Sequence, residues 1–285
     1  MAMSETVKAK TLLGEMSAEF AGTMILILFG VGVVASVVPA ATGNHDSIAW
    51  AWGLGVMLGV YTAGRMTGAH LNPAVTITLA LFRGFSWRKV APYALAQFLG
   101  AFVAALIVRW NYNDALVRFD PGLTIKSQGV FSTLPGNGNP NLGVGVWGGL
   151  LDQIIGTAIL LFVIFAVIDL RNTSPGVNLT PLIIGLLVVA IGMAWGALAG
   201  YAINPARDFG PRLASALTGY GGGAFKDQFG DYYFWVPIVG PIIGGAIGGF
   251  LYDLLVGRFL PIAEEEEGER PGRLPEEPPA RPTNP

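Results

Sequence analysis

Long apolar runs with few or no charges recur along the chain and predict six membrane-spanning helices. They cover roughly residues 17–43, 48–64, 90–108, 154–168, 179–203 and 234–252, and each approaches the ~20 residues that a spanning helix requires. Two further apolar pieces, 72–82 and 204–218, are too short to cross a bilayer. The pattern therefore predicts an all-α membrane protein with six transmembrane helices plus two re-entrant half-helices.

Composition supports this interpretation. Of the 285 residues, 52% are hydrophobic and 13% are charged, as in integral membrane proteins. The chain has no cysteine, which excludes a disulfide framework, a thiolate metal site and a cysteine nucleophile. The first apolar run is too long for a signal peptide and lacks a convincing cleavage site, so we expect it to remain as a span.

Basic residues are distributed unevenly between the two sets of helix ends. If both termini are cytoplasmic, the inner ends hold Lys8, Lys10, Arg65, Arg83, Arg88, Lys89, Arg171 and Arg258. The outer ends and loops then hold only Arg109, Arg118, Lys126 and Lys226. Because cytoplasmic loops carry an excess of Lys and Arg, we expect a multi-pass plasma-membrane protein with both termini inside.

The tripeptide Asn-Pro-Ala occurs twice and opens both short apolar pieces. The two copies are Asn72, Pro73, Ala74 and Asn204, Pro205, Ala206. Each half of the chain has three spans and one copy, and an odd number of crossings makes the second half enter from the opposite side. This organisation predicts inverted repeats. The similarity of Glu19-Phe-Ala-Gly-Thr23 to Gln153-Ile-Ile-Gly-Thr157 supports the repeat.

An Asn-Pro start is an ordinary helix start, with Asn as the N-cap and Pro at the first helical position. At membrane depth, irregular backbone is tolerated only where it is buried in protein or lines a polar cavity, so two such starts indicate a lumen. If each Asn oxygen caps its half-helix, its NH2 group faces the lumen as a donor. The helix N-termini bring positive dipole ends that oppose cations, including hydronium. Ala74 and Ala206 permit close approach of the half-helices.

The segments before each Asn must be extended, since they lead into a cap. Their carbonyl groups cannot all be paired internally, so we predict that several line the pore as acceptors. The candidates are Gly68, Ala69, His70, Gly200, Tyr201 and Ala202. A solute with both donors and acceptors would then pass without losing hydrogen bonds.

Arg207 directly follows the second motif. An arginine at membrane depth is costly unless it faces a cavity and finds carbonyl or carboxylate partners, although one at a helix end can also reach the interface. Asp208 and Arg212 are four residues apart, so they can pair and tie the half-helix to its surroundings.

The two motifs in their context, Thr67-Gly-Ala-His-Leu-Asn-Pro-Ala-Val75 and Gly200-Tyr-Ala-Ile-Asn-Pro-Ala-Arg-Asp-Phe-Gly-Pro211, closely resemble those of the major intrinsic proteins. Within that family the chain resembles the aquaglyceroporins, or glycerol facilitators, over about residues 12–260. The resemblance implies a homotetramer in which each chain holds its own pore. It also implies an outer constriction of Trp52, Gly192, Tyr201 and Arg207, with Trp52 as an apolar wall, Arg207 as a donor that repels cations, and Gly192 leaving room.

Two positions depart from the family pattern. Tyr201 stands where the commonest bacterial members have Phe, so its hydroxyl either narrows the constriction or offers the solute an extra bond. Gln153 stands where the family has a Glu that matches Glu19 of the first half. Gln keeps an acceptor for loop N–H groups but loses the charge-assisted bond, which predicts weaker support of the second loop. Asp152 points about 100° away on a helix and is a poor substitute.

The resemblance and the composition divide the chain into three parts. Residues 1–11 are expected to form a cytoplasmic N-terminus, and 12–261 an aquaporin-like channel domain. Within it, repeat one covers about 12–110, the linker 111–146 and repeat two about 147–261. Residues 262–285 are rich in Glu, Pro and Arg, cannot bury enough apolar surface to fold, and are predicted to be a disordered cytoplasmic tail.

These features predict a passive channel for glycerol and similar small neutral solutes, with water also passing and ions and protons excluded. The protein is expected to contact membrane lipid, to need no cofactor, to bind no nucleic acid and not to be an enzyme. His70 and His45 form no metal cluster, and His45 is predicted to be a surface residue. Two alternatives remain: a mainly water-selective aquaporin, and a coupled secondary transporter, whose ion site would have only Glu19, Gln153 and Asp152 available.

Overall fold

The computed structural model describes residues 10–261. The predicted tail, 262–285, and residues 1–9 of the predicted N-terminal segment lie outside the described residues. The helices in chain order are α1 (Leu12–Val37), α2 (His45–Thr67), α3 (Pro73–Phe82), α4 (Trp87–Asn111), α5 (Asn113–Phe119), α6 (Ile125–Gln128), α7 (Val146–Ile168), α8 (Thr180–Ala199), α9 (Pro205–Ser215) and α10 (Val236–Leu255). Between residues 10 and 261, six of them are long and apolar enough to cross a membrane: α1, α2, α4, α7, α8 and α10.

The ends of α1 differ from those of the apolar run that predicts it. A charged residue interrupts an apolar run, but it does not have to end a helix. α1 begins earlier, at Leu12, where the Thr11 side chain caps the helix by accepting from Gly14 N. Its first turns include Glu15, which stays inside the helix because it forms an ion pair of 2.8 Å with Lys89. α1 also ends earlier than expected, shortly before a proline that lacks the N–H to continue the ladder.

The segment between the halves is more ordered than a simple linker. It contains α5, α6 and two 3₁₀ turns, Pro135–Gly138 and Pro140–Leu142. Val130, Phe131 and Leu134 are fully buried. The Asn, Gly and Pro content predicts turns correctly, but the segment also packs onto the core and covers one end of the helix bundle.

The two halves repeat one packing pattern, which confirms the inverted repeats. α1 packs against α2 and α4, and in the second half α7 packs against α8 and α10. α3 lies against α4 and α10, and α9 lies against the same two helices. α2 contacts α8 across the halves, and the half-helices α3 and α9 contact each other. The fold is therefore the predicted one, with six spanning helices around two half-helices.

Glycines allow the closest helix contacts in this bundle. A Cβ atom at Gly244 or Gly248 of α10 would collide with the carbonyl groups of Ile154 or Ala158 in α7. Small residues let membrane helices approach until their backbones touch. The glycine-rich stretch of α10 thus serves helix packing.

Candidate functional site

Each half-helix begins at an asparagine that caps it. Asn72 Oδ1 accepts a hydrogen bond of 2.8 Å from Ala74 N, and Asn204 Oδ1 accepts from Ala206 N at 3.0 Å and from Arg207 N at 3.2 Å. The prolines at the next position have no N–H to satisfy. Both starts are therefore stable while buried in protein.

The same two asparagines join the halves of the chain. Asn72 Nδ2 donates to Ile203 O at 2.8 Å, and Asn204 Nδ2 donates to Leu71 O at 2.8 Å. A side-chain amide has two N–H donors. The sequence predicts that the whole NH2 group faces the lumen, whereas the structure uses one N–H of each amide for the opposite half. One N–H per asparagine remains for a solute.

The loops before the asparagines alternate in backbone conformation. Positive φ angles occur at Ala69 (55°), Leu71 (52°), Tyr201 (35°) and Ile203 (44°). Left-handed backbone is uncommon for residues other than glycine and is concentrated at functional sites, where the surroundings hold it in place. Five of the six residues whose carbonyl groups are predicted to line the pore do line an inner cavity: Gly68, Ala69, His70, Tyr201 and Ala202. Gly200 lines an outer cavity.

Glu19 holds the first loop from inside the protein. Its carboxylate accepts from Thr67 Oγ1 at 2.6 Å, His70 N at 2.9 Å, Leu71 N at 2.7 Å and Gln97 Nε2 at 2.7 Å. The Glu19 side chain is fully buried. A buried carboxylate is stable only when its lone pairs are used, and here four donors use them. Thr67 and Gln97 were missed by the sequence reasoning, although a glutamine inside an apolar span is a signal.

Gln153 holds the second loop in a different way. Its Oε1 accepts from Ile203 N at 2.9 Å, and its Nε2 donates to Ala199 O at 2.9 Å. The side chain thus ties the last residue of α8 to the loop, and it uses a donor that a glutamate does not have. Asp152 does not contribute, since neither of its buried carboxylate oxygens has a hydrogen-bond partner within residues 10–261.

Arg207 lies over the ring of Trp52. The guanidinium carbon is 4.0 Å from the centroid of the indole ring, a cation–π geometry. Arg207 is only 7% exposed, yet its guanidinium forms no hydrogen bond with any residue between 10 and 261. The sequence predicts carbonyl or carboxylate partners, whereas the structure leaves these donors directed at the cavities. A side chain at Gly30 would overlap the Trp52 ring, so Gly30 makes room for it.

The ring of Tyr201 occupies the space above Gly192. A Cβ atom at Gly192 would lie 2.9 Å from Tyr201 Cζ and 3.1 Å from its hydroxyl oxygen. One at Gly196 would lie 2.8 Å from Tyr201 Cδ1. The resemblance implies that Gly192 leaves room, and in the structure the Tyr201 ring fills the space that a side chain at Gly192 would occupy.

Two cavities lie on either side of this group. The inner cavity has a volume of about 150 Å³ and includes Asn72 and Asn204 in its lining. The outer cavity has a volume of about 210 Å³. The residues that line both are Trp52, Tyr201 and Arg207. These three side chains therefore mark the boundary between the cavities, with Gly192 behind Tyr201.

A buried ion pair fixes α9 to the segment between the halves. Asp208 Oδ1 accepts from Arg212 Nε at 2.8 Å, and both side chains are fully buried. Asp208 Oδ2 accepts from Thr133 N and Thr133 Oγ1, each at 2.7 Å. Arg212 also donates to the carbonyl oxygens of Ala224 at 2.7 Å and Thr133 at 2.8 Å. The pair is satisfied on both sides, which a buried ion pair requires.

The two histidines lie at different ends of the site. His70 Nδ1 is 3.1 Å from Thr76 Oγ1, and its ring packs 4.6 Å from the ring of Phe85. His45 is exposed as a residue, as predicted, but its Nε2 is 3.0 Å from Gly192 O. Over residues 10–261, no three His, Cys, Asp or Glu side chains come together as a metal site would require.

Comparison with protein families decides the relationship. Residues 6–252 match the family model for the major intrinsic proteins. The chain belongs to this family. The resemblance seen in the two Asn-Pro-Ala motifs is thereby confirmed.

Relatives within the major intrinsic proteins are similar over most of the chain. One is the probable aquaglyceroporin-2 of Gibberella zeae, which is 47% identical over 247 residues, covering 84% of this chain and 71% of the relative. Another is the glycerol uptake facilitator protein of Escherichia coli K12, 42% identical over 282 residues, covering 94% and 98%. The X-ray structure of the aquaglyceroporin from Plasmodium falciparum aligns with a TM-score of 0.78 and 30% identity, covering 88% of this chain and 99% of the other.

Proposed function

We propose that this member of the major intrinsic proteins is a passive channel for glycerol and related small uncharged solutes, through which water also permeates. The observation that supports the proposal best is the group of Trp52, Tyr201 and Arg207 between two cavities. It combines an apolar face, a free guanidinium and an aromatic edge. The two relatives named above carry aquaglyceroporin or glycerol facilitator in their names.

Selection would take place at this constriction. The Trp52 indole provides an apolar surface for the carbon chain of a polyol. The Arg207 donors, which have no partner among residues 10–261, bind its hydroxyl groups. The positive charge of Arg207 disfavours cations at the same point. Gly192 affects the constriction through Tyr201. Because Gly192 has no side chain, the Tyr201 ring can pack against α8 and stay back from the lumen.

Beyond the constriction, the solute would exchange partners along the inner cavity. Carbonyl groups of the two loops accept its hydroxyl protons, and the remaining N–H of Asn72 and Asn204 donates to its oxygens. A water between the two asparagines accepts both bonds and points its own hydrogens outward, which interrupts a proton relay. The N-terminal dipoles of α3 and α9 oppose cations at the same place.

Contacts of the buried carboxylates argue against a coupled transporter. Such a protein needs an intramembrane ion site, but Glu19 already accepts four hydrogen bonds. Neither Glu19 nor Asp152 lines the inner or the outer cavity. A mainly water-selective channel is the alternative to test. In such a channel, a chain of three carbon atoms would not fit past Trp52 and Tyr201.

The proposal includes the arrangement in the cell. The protein would sit in the plasma membrane with both termini cytoplasmic, contact lipid on its outer helix faces and assemble as a homotetramer with one pore per chain. Its domain organisation would be repeat one (12–110), linker (111–146) and repeat two (147–261). The channel would need no cofactor, bind no nucleic acid and catalyse no reaction.

Light-scattering measurements on proteoliposomes test this function. Vesicles with the protein should swell faster than protein-free vesicles in gradients of glycerol, and water efflux in a sucrose gradient should also be faster. Glycerol entry equal to that of protein-free vesicles, with fast water flux, would favour the water channel. An Arg207→Val variant should conduct cations or protons that the unaltered channel excludes, and unchanged conductance with unchanged glycerol flux would remove Arg207 from the selectivity filter.

A further inference from the structure

His45 reaches the constriction from the outer end of α2. Its Nε2 lies 3.0 Å from the carbonyl oxygen of Gly192, and its Cε1 would be 2.9 Å from a Cβ at Gly196. The ring also lines the outer cavity together with Tyr201 and Arg207. His45, the first residue of α2, therefore contacts Gly192, the glycine against which the Tyr201 ring packs.

The bond to Gly192 fixes the chemistry of the imidazole. A carbonyl oxygen can only accept, so Nε2 carries the hydrogen and donates it. In a neutral imidazole the other nitrogen is then an acceptor. Within residues 10–261, Nδ1 of His45 has no hydrogen-bond partner, and the residue lines the outer cavity.

Other polar side chains of the outer cavity are largely engaged. Thr133 Oγ1 donates to Asp208, Ser132 Oγ accepts from Gln128, and Lys126 Nζ donates to Phe119 O. Asn137 uses its Nδ2 on the carbonyl groups of α8, while its Oδ1 accepts no hydrogen bond from residues 10–261 and is a second side-chain acceptor in the lining. Arg207 supplies free donors at this mouth, but donors alone do not satisfy a polyol, because each hydroxyl group also needs an acceptor for its proton.

We propose that His45 is a specificity-determining residue of the outer mouth, where Nδ1 accepts a hydroxyl proton from an entering polyol while Arg207 donates to the hydroxyl oxygens. This inference rests on the proposed function and names a residue for it. The pair offers a polyol an acceptor and several donors at the outer cavity, in addition to the loop carbonyl groups. Water, which is smaller and reorients freely, depends less on the pair.

Three substitutions separate this role from a structural one. His45→Gln keeps a donor for Gly192 O and an acceptor for the solute, whereas His45→Phe keeps a ring and loses both. Asp46→Asn is the matched control, since Asp46 is the exposed neighbour in α2 and does not line the outer cavity. Glycerol and water fluxes are measured in the same proteoliposomes at pH 8.

We expect His45→Phe to lower the glycerol-to-water flux ratio about two- to tenfold, the factor of one neutral hydrogen bond. His45→Gln and Asp46→Asn should keep the ratio. An unchanged ratio in His45→Phe, or an equal fall of both fluxes, would overturn the inference. Absence of glycerol flux in the unaltered protein would instead refute the proposed function.

Discussion

Replacing Gly192 with alanine tests how the constriction is built. The added Cβ would lie 2.9 Å from Tyr201 Cζ, where ordinary contacts begin at 3.4 Å, so the ring must move by at least about 0.5 Å. α8, which contains Gly192, lies on one side of the Tyr201 ring, and the two cavities lie on the other side. The ring therefore shifts into the lumen. The displaced ring raises the barrier for a three-carbon solute, and a rise of about 1.4 kcal/mol lowers glycerol flux about tenfold.

The assay compares glycerol and water fluxes in one set of proteoliposomes. Water is narrower than a three-carbon chain, so Gly192→Ala should lower the glycerol flux more than the water flux. Gly64→Ala is the control, because its added Cβ meets nothing within 4 Å. The double variant Gly192→Ala/Tyr201→Ala should recover glycerol flux, since the ring that moves is gone. Equal loss of both fluxes, or no recovery in the double variant, would refute the reasoning.

Further predictions concern the supports of the site and the residues that follow α7. Gln153→Glu should lower stability by about 1–3 kcal/mol, because a carboxylate oxygen then faces Ala199 O; unchanged thermal unfolding in detergent would contradict this. Arg212→Leu should cost about 3–5 kcal/mol by leaving a buried carboxylate alone, and an unaltered melting temperature would show that the pair is dispensable. The Arg171 guanidinium holds the pKa of Asp169 at about 2, below its ordinary value of 3.8. The resulting stabilisation is complete above pH 4 and lost as pH falls through 2, so Arg171→Gln should flatten the stability profile between pH 4 and 2, and parallel profiles would disprove the contribution.

The sequence predicts the architecture well because its signals are strong and local. Apolar runs near the length of a bilayer identify the spans, and a proline after an asparagine identifies a helix start. Glu19 was singled out because its position matches Gln153 in the second half. Helix ends are predicted less well: α7 begins at Val146, well before its uncharged run, because Asp152 interrupts the run without interrupting the helix.

Side-chain partners over long distances could not be predicted in the same way. Thr133 lies in the segment between the halves, and nothing local connects it with Asp208, 75 residues later. The same holds for His45 and Gly192, 147 residues apart. Gly192 was assigned to the constriction by resemblance, but its relation to the Tyr201 ring depends on the left-handed backbone at that tyrosine. The contact between His45 and Gly192 follows from the packing of α2 on α8.

The crossed bonds of Asn72 and Asn204 bear on how the protein is made. Leu71 O and the Asn72 amide find their partners in residues that leave the ribosome more than a hundred positions later. Until then the first three spans can insert, but their re-entrant loop lacks the contacts that orient its amide. The centre of the pore is therefore completed in one of the last steps of biosynthesis, and a chain interrupted before Ile203 would leave both groups without the partners they have in the finished protein.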